Sequence, residues 1–246
     1  MLRRYTSFHS SAIGRDMELL IFGHHGAPMV AFPSGGGRFF DWEDNGMIEA
    51  VAYWLDAGMV TLYCPDSLDH ETWLNHGADP AARGRRHRDY ERYIAGELTA
   101  FIRDDCQSPK ETLAVTGCSL GALHAANFAL KYPETFDYAL CMSGRYDLEA
   151  MTGHTDSLDV YYSNPLAYCY HLHGSTLEQI QNSTHLTLVC GQGAWEDKCL
   201  AETNRLADIL GEKGISHERD IWGRDVEHHW YWWKRQIAHH FEKTLG

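Results

Sequence analysis

Residues 112–132 read TLAVTGCSLGALHAANFALKY, and this stretch decides the architecture. Thr112–Thr116 is a short, β-branched, apolar run of the kind that forms a buried strand. Leu120–Tyr132 is rich in Ala and Leu and reads as a helix, closed by Pro133. Between them stands Gly117-Cys118-Ser119-Leu120-Gly121, a match to G-x-S-x-G. A strand that becomes a helix within one residue leaves no room for side chains beside the serine, hence the two glycines. The serine then projects above the sheet, next to the positive end of a helix. This frame makes Ser119 a candidate nucleophile. The competing reading, a glycine-rich turn with a serine N-cap, does not account for the strand in front of it.

Outward from this turn, strand-like and helix-like segments alternate. Glu18–Phe22, Met29–Phe32, Val60–Cys64, Tyr138–Met142, Leu186–Cys190 and 216–222 read as strands. Met47–Leu55, about 80–105, 197–212 and 229–243 read as helices. Such alternation predicts a single α/β domain over 1–246, with a mostly parallel central sheet and helices on both faces. The first two strands lack a helix between them and are expected to form an antiparallel edge. The stretch 144–184, with Tyr161, Tyr162, Tyr168 and Tyr170, is too long for a simple crossover. It is a candidate lid over the C-terminal edge of the sheet.

A serine hydroxyl needs a base to remove its proton. His228 and His229 stand at the loop-to-helix junction after the last strand, where a base is expected; His239 and His240 lie well inside the final helix. The acid should follow the preceding strand. There Gly191-Gln192-Gly193-Ala194-Trp195-Glu196-Asp197 enters a helix, and Asp197 is the expected acid with Glu196 the alternative. The order Ser…Asp…His is one of the known triad orders. An oxyanion hole needs two backbone N–H donors. Leu120, the residue after Ser119, is one candidate. Gly35, with Gly36 close behind, is the other, from Pro33-Ser34-Gly35-Gly36-Gly37 after the Met29–Phe32 strand.

Composition excludes several classes. The 246 residues carry a net charge of −13, so the mean field repels nucleic acid phosphates and anionic lipid. No apolar run approaches the roughly 20 residues of a membrane span, and no apolar run follows the basic N-terminus as in a signal peptide. The seven cysteines are odd in number and sit in apolar runs, the pattern of buried reduced thiols and a cytoplasmic setting. No Cys or carboxylate at ligand spacing accompanies the histidines, so no metal is implied. Neither a P-loop nor a dinucleotide fingerprint is present. Arg83, Arg85, Arg86, Arg88 and Arg92 read as a solvated helix face paired with Asp89 and Glu91. His124, five residues past Ser119, reads as a buried structural residue. Trp230, Trp233, Ile237 and Phe241 share one helical face.

These motifs resemble the Putative esterase family of α/β-hydrolases, which includes the esterase D or S-formylglutathione hydrolases and the antigen 85 mycolyltransferases. The resemblance rests on Gly117–Gly121, on Asp66-Ser67…Trp73 after the Val60–Cys64 strand, on Ser143-Gly144, and on His228-His229-Trp230-Tyr231-Trp232-Trp233. It covers about residue 28 to the C-terminus. It implies hydrolysis of a small carboxylic ester through an acyl-enzyme, without cofactor, or acyl transfer to a sugar or thiol on the same residues. The family's His-Asp-Trp ending places the base on His228. Here Glu227 replaces the family's glycine before that histidine, and His229 replaces its aspartate. Gly36, Trp73 and Tyr161 are the expected substrate contacts.

Overall fold

The computed structural model describes residues 1–107 and 112–245. Eight strands form one sheet: β1 (Arg3–Ser10), β2 (Arg15–Phe22), β3 (Ala27–Phe32), β4 (Val60–Pro65), β5 (Leu113–Cys118), β6 (Phe136–Met142), β7 (His185–Cys190) and β8 (Ser216–Ile221). Their spatial order is β1-β2-β4-β3-β5-β6-β7-β8. β2 runs antiparallel to both β1 and β4, and every other pairing is parallel.

The antiparallel edge therefore exists, but it is not the expected pair. β1 was not anticipated, because Arg3–Ser10 alternates exposed and half-buried side chains with little apolar content. β2 and β3 do not pair; β4 lies between them. The reason is the connection Gly23-His24-His25-Gly26, which crosses the start of β4. Gly26 has φ +95°, and a Cβ there would lie 2.2 Å from the Met59 carbonyl carbon. Only glycine lets the chain pass so close to β4 and enter the sheet on its far side.

The helices are α1 (Asp41–Asp44), α2 (Met47–Ala50), α3 (Ala52–Asp56), α4 (Pro80–Arg92), α5 (Thr99–Asp105), α6 (Leu120–Lys131), α7 (Glu149–Thr152), α8 (Leu158–Tyr161), α9 (Pro165–Tyr168), α10 (Gly174–Ser183), α11 (Asp197–Glu212) and α12 (Trp230–Leu245). The helix expected over 47–55 is broken at Val51 into α2 and α3. The helix expected over 80–105 is continuous from α4 to α5 through a π-helical turn at Tyr93–Leu98. Asp79 caps it by accepting from Ala82 N–H, and Pro80 sits where its missing N–H costs nothing.

Two apolar clusters cover the sheet faces. Tyr90, Tyr93, Leu98, Leu123, Phe128 and Leu206 are buried on one, and Trp42, Ile48, Leu55, Trp233, Ile237 and Phe241 on the other. The shared face of the last helix is thus core. Six of the seven cysteines are buried, and all seven are free. Among the described residues no helix is long and apolar enough to cross a membrane.

The arginine run departs from its expected role at one position. Arg83 is buried, and its guanidinium donates to the carbonyls of Thr72, Trp73 and Met151. Arg86, Arg88 and Arg92 do pair with acids, Glu71, Asp159 and Asp89, whereas Glu91 is buried and pairs with Lys131 instead. Arg83 therefore ties α4 to the segment after β4 and to the excursion after β6. That excursion carries α7–α10 and is fastened elsewhere too. Asn127 Nδ2 donates to Ser163 O at 2.6 Å, and Tyr168 Oη donates to Asn127 Oδ1 at 3.0 Å.

Candidate active site

Ser119 has φ 57° and ψ −115° between β5 and α6, a conformation that side-chain-bearing residues rarely adopt. The surrounding backbone holds it there: its N–H donates to Met142 O at 2.9 Å, and its carbonyl accepts from Arg145 N–H at 3.2 Å. The flanking glycines are sterically required. A Cβ on Gly117 would lie 2.3 Å from the Gly121 carbonyl, and one on Gly121 would lie 2.4 Å from Pro33 O. The same close packing brings the loop after β3 against the start of α6.

At the ends of β6, β7 and β8 a second group assembles. Glu196 is fully buried, and its Oε2 lies 3.2 Å from His228 Nδ1. A carboxylate oxygen only accepts, so Nδ1 carries the proton and Nε2 is left free for another partner. Ser143 Oγ donates to Glu196 Oε1 at 2.5 Å and accepts from Trp233 Nε1 at 3.0 Å. Cys190 Sγ lies 3.5 Å from Glu196 Oε2, and Cys199 Sγ lies 3.6 Å from His228 Nδ1. Burial pushes both thiols far up, so they remain neutral. A buried carboxylate is costly unless its lone pairs are filled; here a hydroxyl, a thiol and an imidazole fill them. Trp233 also presses edge-on against the His228 ring, at 4.8 Å between centroids.

Asp197 is not in this group. It is exposed in the first turn of α11, and Glu196 holds the position expected of it. The cause is local: Trp195 takes φ +67°, which turns the chain so that Glu196 points inward and its neighbour outward. Of the two adjacent histidines, His228 meets the acid. His229 caps α12, its Nδ1 accepting from Tyr231 N–H at 3.2 Å. That is the task an aspartate performs at a helix start, and it accounts for the substitution.

The turn Ser34–Gly37 shows which of its donors is available. Ser34 N–H donates to Asp41 Oδ2, Gly36 N–H to Asp69 Oδ2 and Gly37 N–H to Ser34 O. Gly35 N–H has no partner among the described residues, and Gly35 packs against Leu120, with a Cβ there 3.4 Å from Leu120 Cβ. Gly36, the alternative donor and expected substrate contact, is occupied on both sides, since its carbonyl faces His70 Nε2 at 3.2 Å.

The other two expected substrate contacts are Trp73 and Tyr161. Trp73 is fully buried, its ring 4.6 Å from that of His87. It belongs to the core because Arg83 draws its backbone inward. Tyr161 is half-buried and lines a cavity of about 180 Å³ formed by the excursion's own residues, including Glu149, His154 and Asn164. Sequence reasoning passed over Ser143 as a partner of the acid, together with Cys190 and Cys199. The Ser143-Gly144 pair was a usable signal: Ser143 takes φ +51°, and a Cβ on Gly144 would collide with the Tyr146 ring.

Among the described residues, two clusters bring three potential metal donors within 4.8 Å of one another: Glu196, Cys199 and His228, and Asp220, His239 and His240. The first is accounted for by the acid–imidazole pair. In the second, Asp220 Oδ2 accepts from Trp222 Nε1 at 2.8 Å and faces His240 Nε2 at 3.0 Å, joining β8 to α12.

Known structures share this architecture. S-formylglutathione hydrolase from Staphylococcus aureus superposes with a TM-score of 0.73 at 15% identity, over 100% of this chain and 97% of that one. MPT51 of Mycobacterium tuberculosis gives 0.77 at 14% identity, over 100% and 98%. A ferulic acid esterase gives 0.76 at 13% identity, over 97% and 95%. No match is found among curated proteins. The family model described as Putative esterase matches residues 10–244. The chain has the α/β-hydrolase fold and belongs to the Putative esterase family of carboxylic ester hydrolases.

Proposed function

We propose that the protein hydrolyses small carboxylic esters through an acyl-enzyme on Ser119, with His228 as base and Glu196 as the orienting acid. The observation that carries this reading is the pairing of His228 Nδ1 with the buried Glu196 carboxylate, which fixes the tautomer that leaves Nε2 free to accept a proton. Ser119 Oγ attacks the ester carbonyl while His228 takes its proton. The tetrahedral oxyanion is held by the N–H groups of Leu120 and Gly35. His228 then protonates the departing alcohol, leaving an acyl-serine. Water, activated by the same imidazole, releases the acid and restores Ser119. The Glu196 carboxylate orients the imidazole and stabilises the imidazolium.

The whole chain acts as one catalytic domain in this reading. The excursion at 144–184 is a fixed cover rather than a swinging lid, a view supported by its buried bonds to Arg83 and Asn127. The free, buried cysteines support a reducing compartment such as the cytoplasm.

The test is p-nitrophenyl ester turnover over increasing acyl length, together with stoichiometric labelling by a fluorophosphonate. Ser119→Ala is expected to abolish labelling and to lower turnover by about 10⁴-fold or more. A folded Ser119→Ala protein with wild-type turnover overturns the assignment.

A further inference from the structure

We infer that Asp69 and His124 form a positioning device that sets the two oxyanion donors relative to one another. This rests on the hydrolase reading above.

Asp69 and His124 are each 1% exposed. His124 Nε2 lies 2.9 Å from Asp69 Oδ1, and Asp69 Oδ2 accepts from Gly36 N–H at 3.2 Å. His124 stands on α6, one turn past Leu120, the first donor. Gly36 follows Gly35, the second donor. The chain Leu120–His124–Asp69–Gly36–Gly35 therefore joins the nucleophile helix to the oxyanion turn through side chains no peptide bond connects.

The turn itself shows what Asp69 controls. Gly37 N–H donates to Ser34 O at 2.8 Å, which makes Gly35 and Gly36 the central residues of a four-residue turn. Gly36 has φ +76°, the value a type II turn requires at its third position. Two central glycines leave the peptide between them free to flip to the type I arrangement, because neither residue opposes it sterically. A flip reverses that peptide's N–H and C=O. It would turn the Gly35 carbonyl towards the Asp69 carboxylate and withdraw the N–H that satisfies it. A buried carboxylate beside a carbonyl oxygen, with a donor lost, is strongly disfavoured. The Ser34–Gly35 peptide, which carries the second donor, keeps its direction in both arrangements; what the Asp69–His124 bridge fixes for it is the place of the whole turn against α6. Asp69 thus supplies the orientation that two glycines cannot supply for themselves. His124 holds Asp69 in place: its ring is packed between Phe32, Tyr90 and His87, at 5.7, 5.7 and 5.3 Å between centroids. Packing on three sides restrains the imidazole.

A residue that sets oxyanion geometry acts on the transition state and not on ester binding. Asp69→Ala is therefore expected to lower kcat by roughly 10²–10³-fold with KM nearly unchanged, as loss of one oxyanion donor does. Asp69→Asn, whose amide oxygen still accepts from Gly36 N–H, is expected to recover part of that loss, with kcat between that of Asp69→Ala and wild type. The inference is overturned if folded Asp69→Ala keeps wild-type kcat, if its loss lies in KM alone, or if the two variants lose activity equally. Should the alanine variant not fold, Asp69→Asn carries the test. A neutral acceptor holds the turn less firmly than a carboxylate, so kcat falls at unchanged KM, and an unchanged kcat overturns the inference. Ser119→Ala, measured alongside, reports on the hydrolase reading separately: if it stays active the underlying reading fails, whatever Asp69 does.

Discussion

Glu196 Oε2 sits 3.2 Å from His228 Nδ1, while Asp197, the next carboxylate along the chain, faces solvent. A single residue of register separates an acid that can orient the base from one that cannot. Glu196→Gln keeps the shape and removes the charge that stabilises the imidazolium. It is expected to lower kcat by about 10⁴-fold. Asp197→Asn, at an exposed helix start, is expected to leave kcat within about twofold and to cost at most about 0.5 kcal/mol of stability. Steady-state kinetics and melting curves of the two variants check this; a reversal of the two results would return the acid to Asp197.

Ser143 connects the acid to the last helix. Its hydroxyl donates to Glu196 and accepts from Trp233 Nε1, all three groups being buried. Ser143→Ala leaves an indole N–H and a carboxylate oxygen without partners. The expected cost is about 1–3 kcal/mol in urea unfolding. Turnover is also expected to fall, by less than in Glu196→Gln, because the acid is loosened and not removed.

His229 separates capping from catalysis. It accepts from Tyr231 N–H at the start of α12, and among the described residues no hydrogen bond joins it to Glu196. His229→Ala is expected to lose about 1 kcal/mol through the missing cap. His229→Asp is expected to restore or exceed wild-type stability, because aspartate is a preferred cap and its charge suits a helix N-terminus. Both should retain turnover, whereas His228→Ala should not. Thermal melts paired with kinetics distinguish the two roles.

The elbow, the sheet and the order of the functional segments were legible because each leaves a local trace. Gly117 answers to a clash with Gly121 inside the motif itself, Gly121 to one with the Pro33 carbonyl on the loop after β3, and strands buried on both faces read as apolar runs. Glu196 was less legible, since its inward turn depends on a left-handed Trp195, and no local pattern marks a tryptophan for that conformation. The β2–β3 pairing failed for a similar reason. Gly23 and Gly26 announced a turn, but β4, whose start that turn crosses, lies more than thirty residues further on. Trp73 looked like a site aromatic from its position after β4. Its burial follows from Arg83 reaching back to its carbonyl, a long-range contact within a run that read as surface charge.

Two buried histidines make stability depend on pH in a definable window. Burial holds His87 well below its ordinary value of 6.5, with the neighbouring His124 and Lys131 adding to the effect. Burial also lowers His240, though the Asp220 carboxylate opposes it. As pH falls below 6.5, these histidines take up protons in the unfolded chain while the folded protein keeps them neutral. The unfolded state then binds more protons, so stability decreases as pH drops from 6.5 towards the folded-state values. Carboxylates lowered in the fold, such as Glu43 beside Arg3 and Asp105 beside Arg4, contribute stability above their ordinary values of 4.5 and 3.8 and lose it only below them. Glu202, raised by burial, works in the opposite direction just above 4.5. The interval between pH 4.5 and 6.5 therefore reports mainly on histidine, and His87 can be isolated within it. His87→Phe keeps an aromatic ring against Trp73 and His124 and has no proton to take up. Urea unfolding of wild type and variant at pH 7.5, 6.5, 5.5 and 5.0 is expected to show a shallower loss of stability in the variant, with Glu202 contributing equally to both. Parallel curves would mean that His87 is protonated in the folded protein as readily as in the unfolded chain, which its complete burial among the Trp73, Tyr90 and His124 rings opposes.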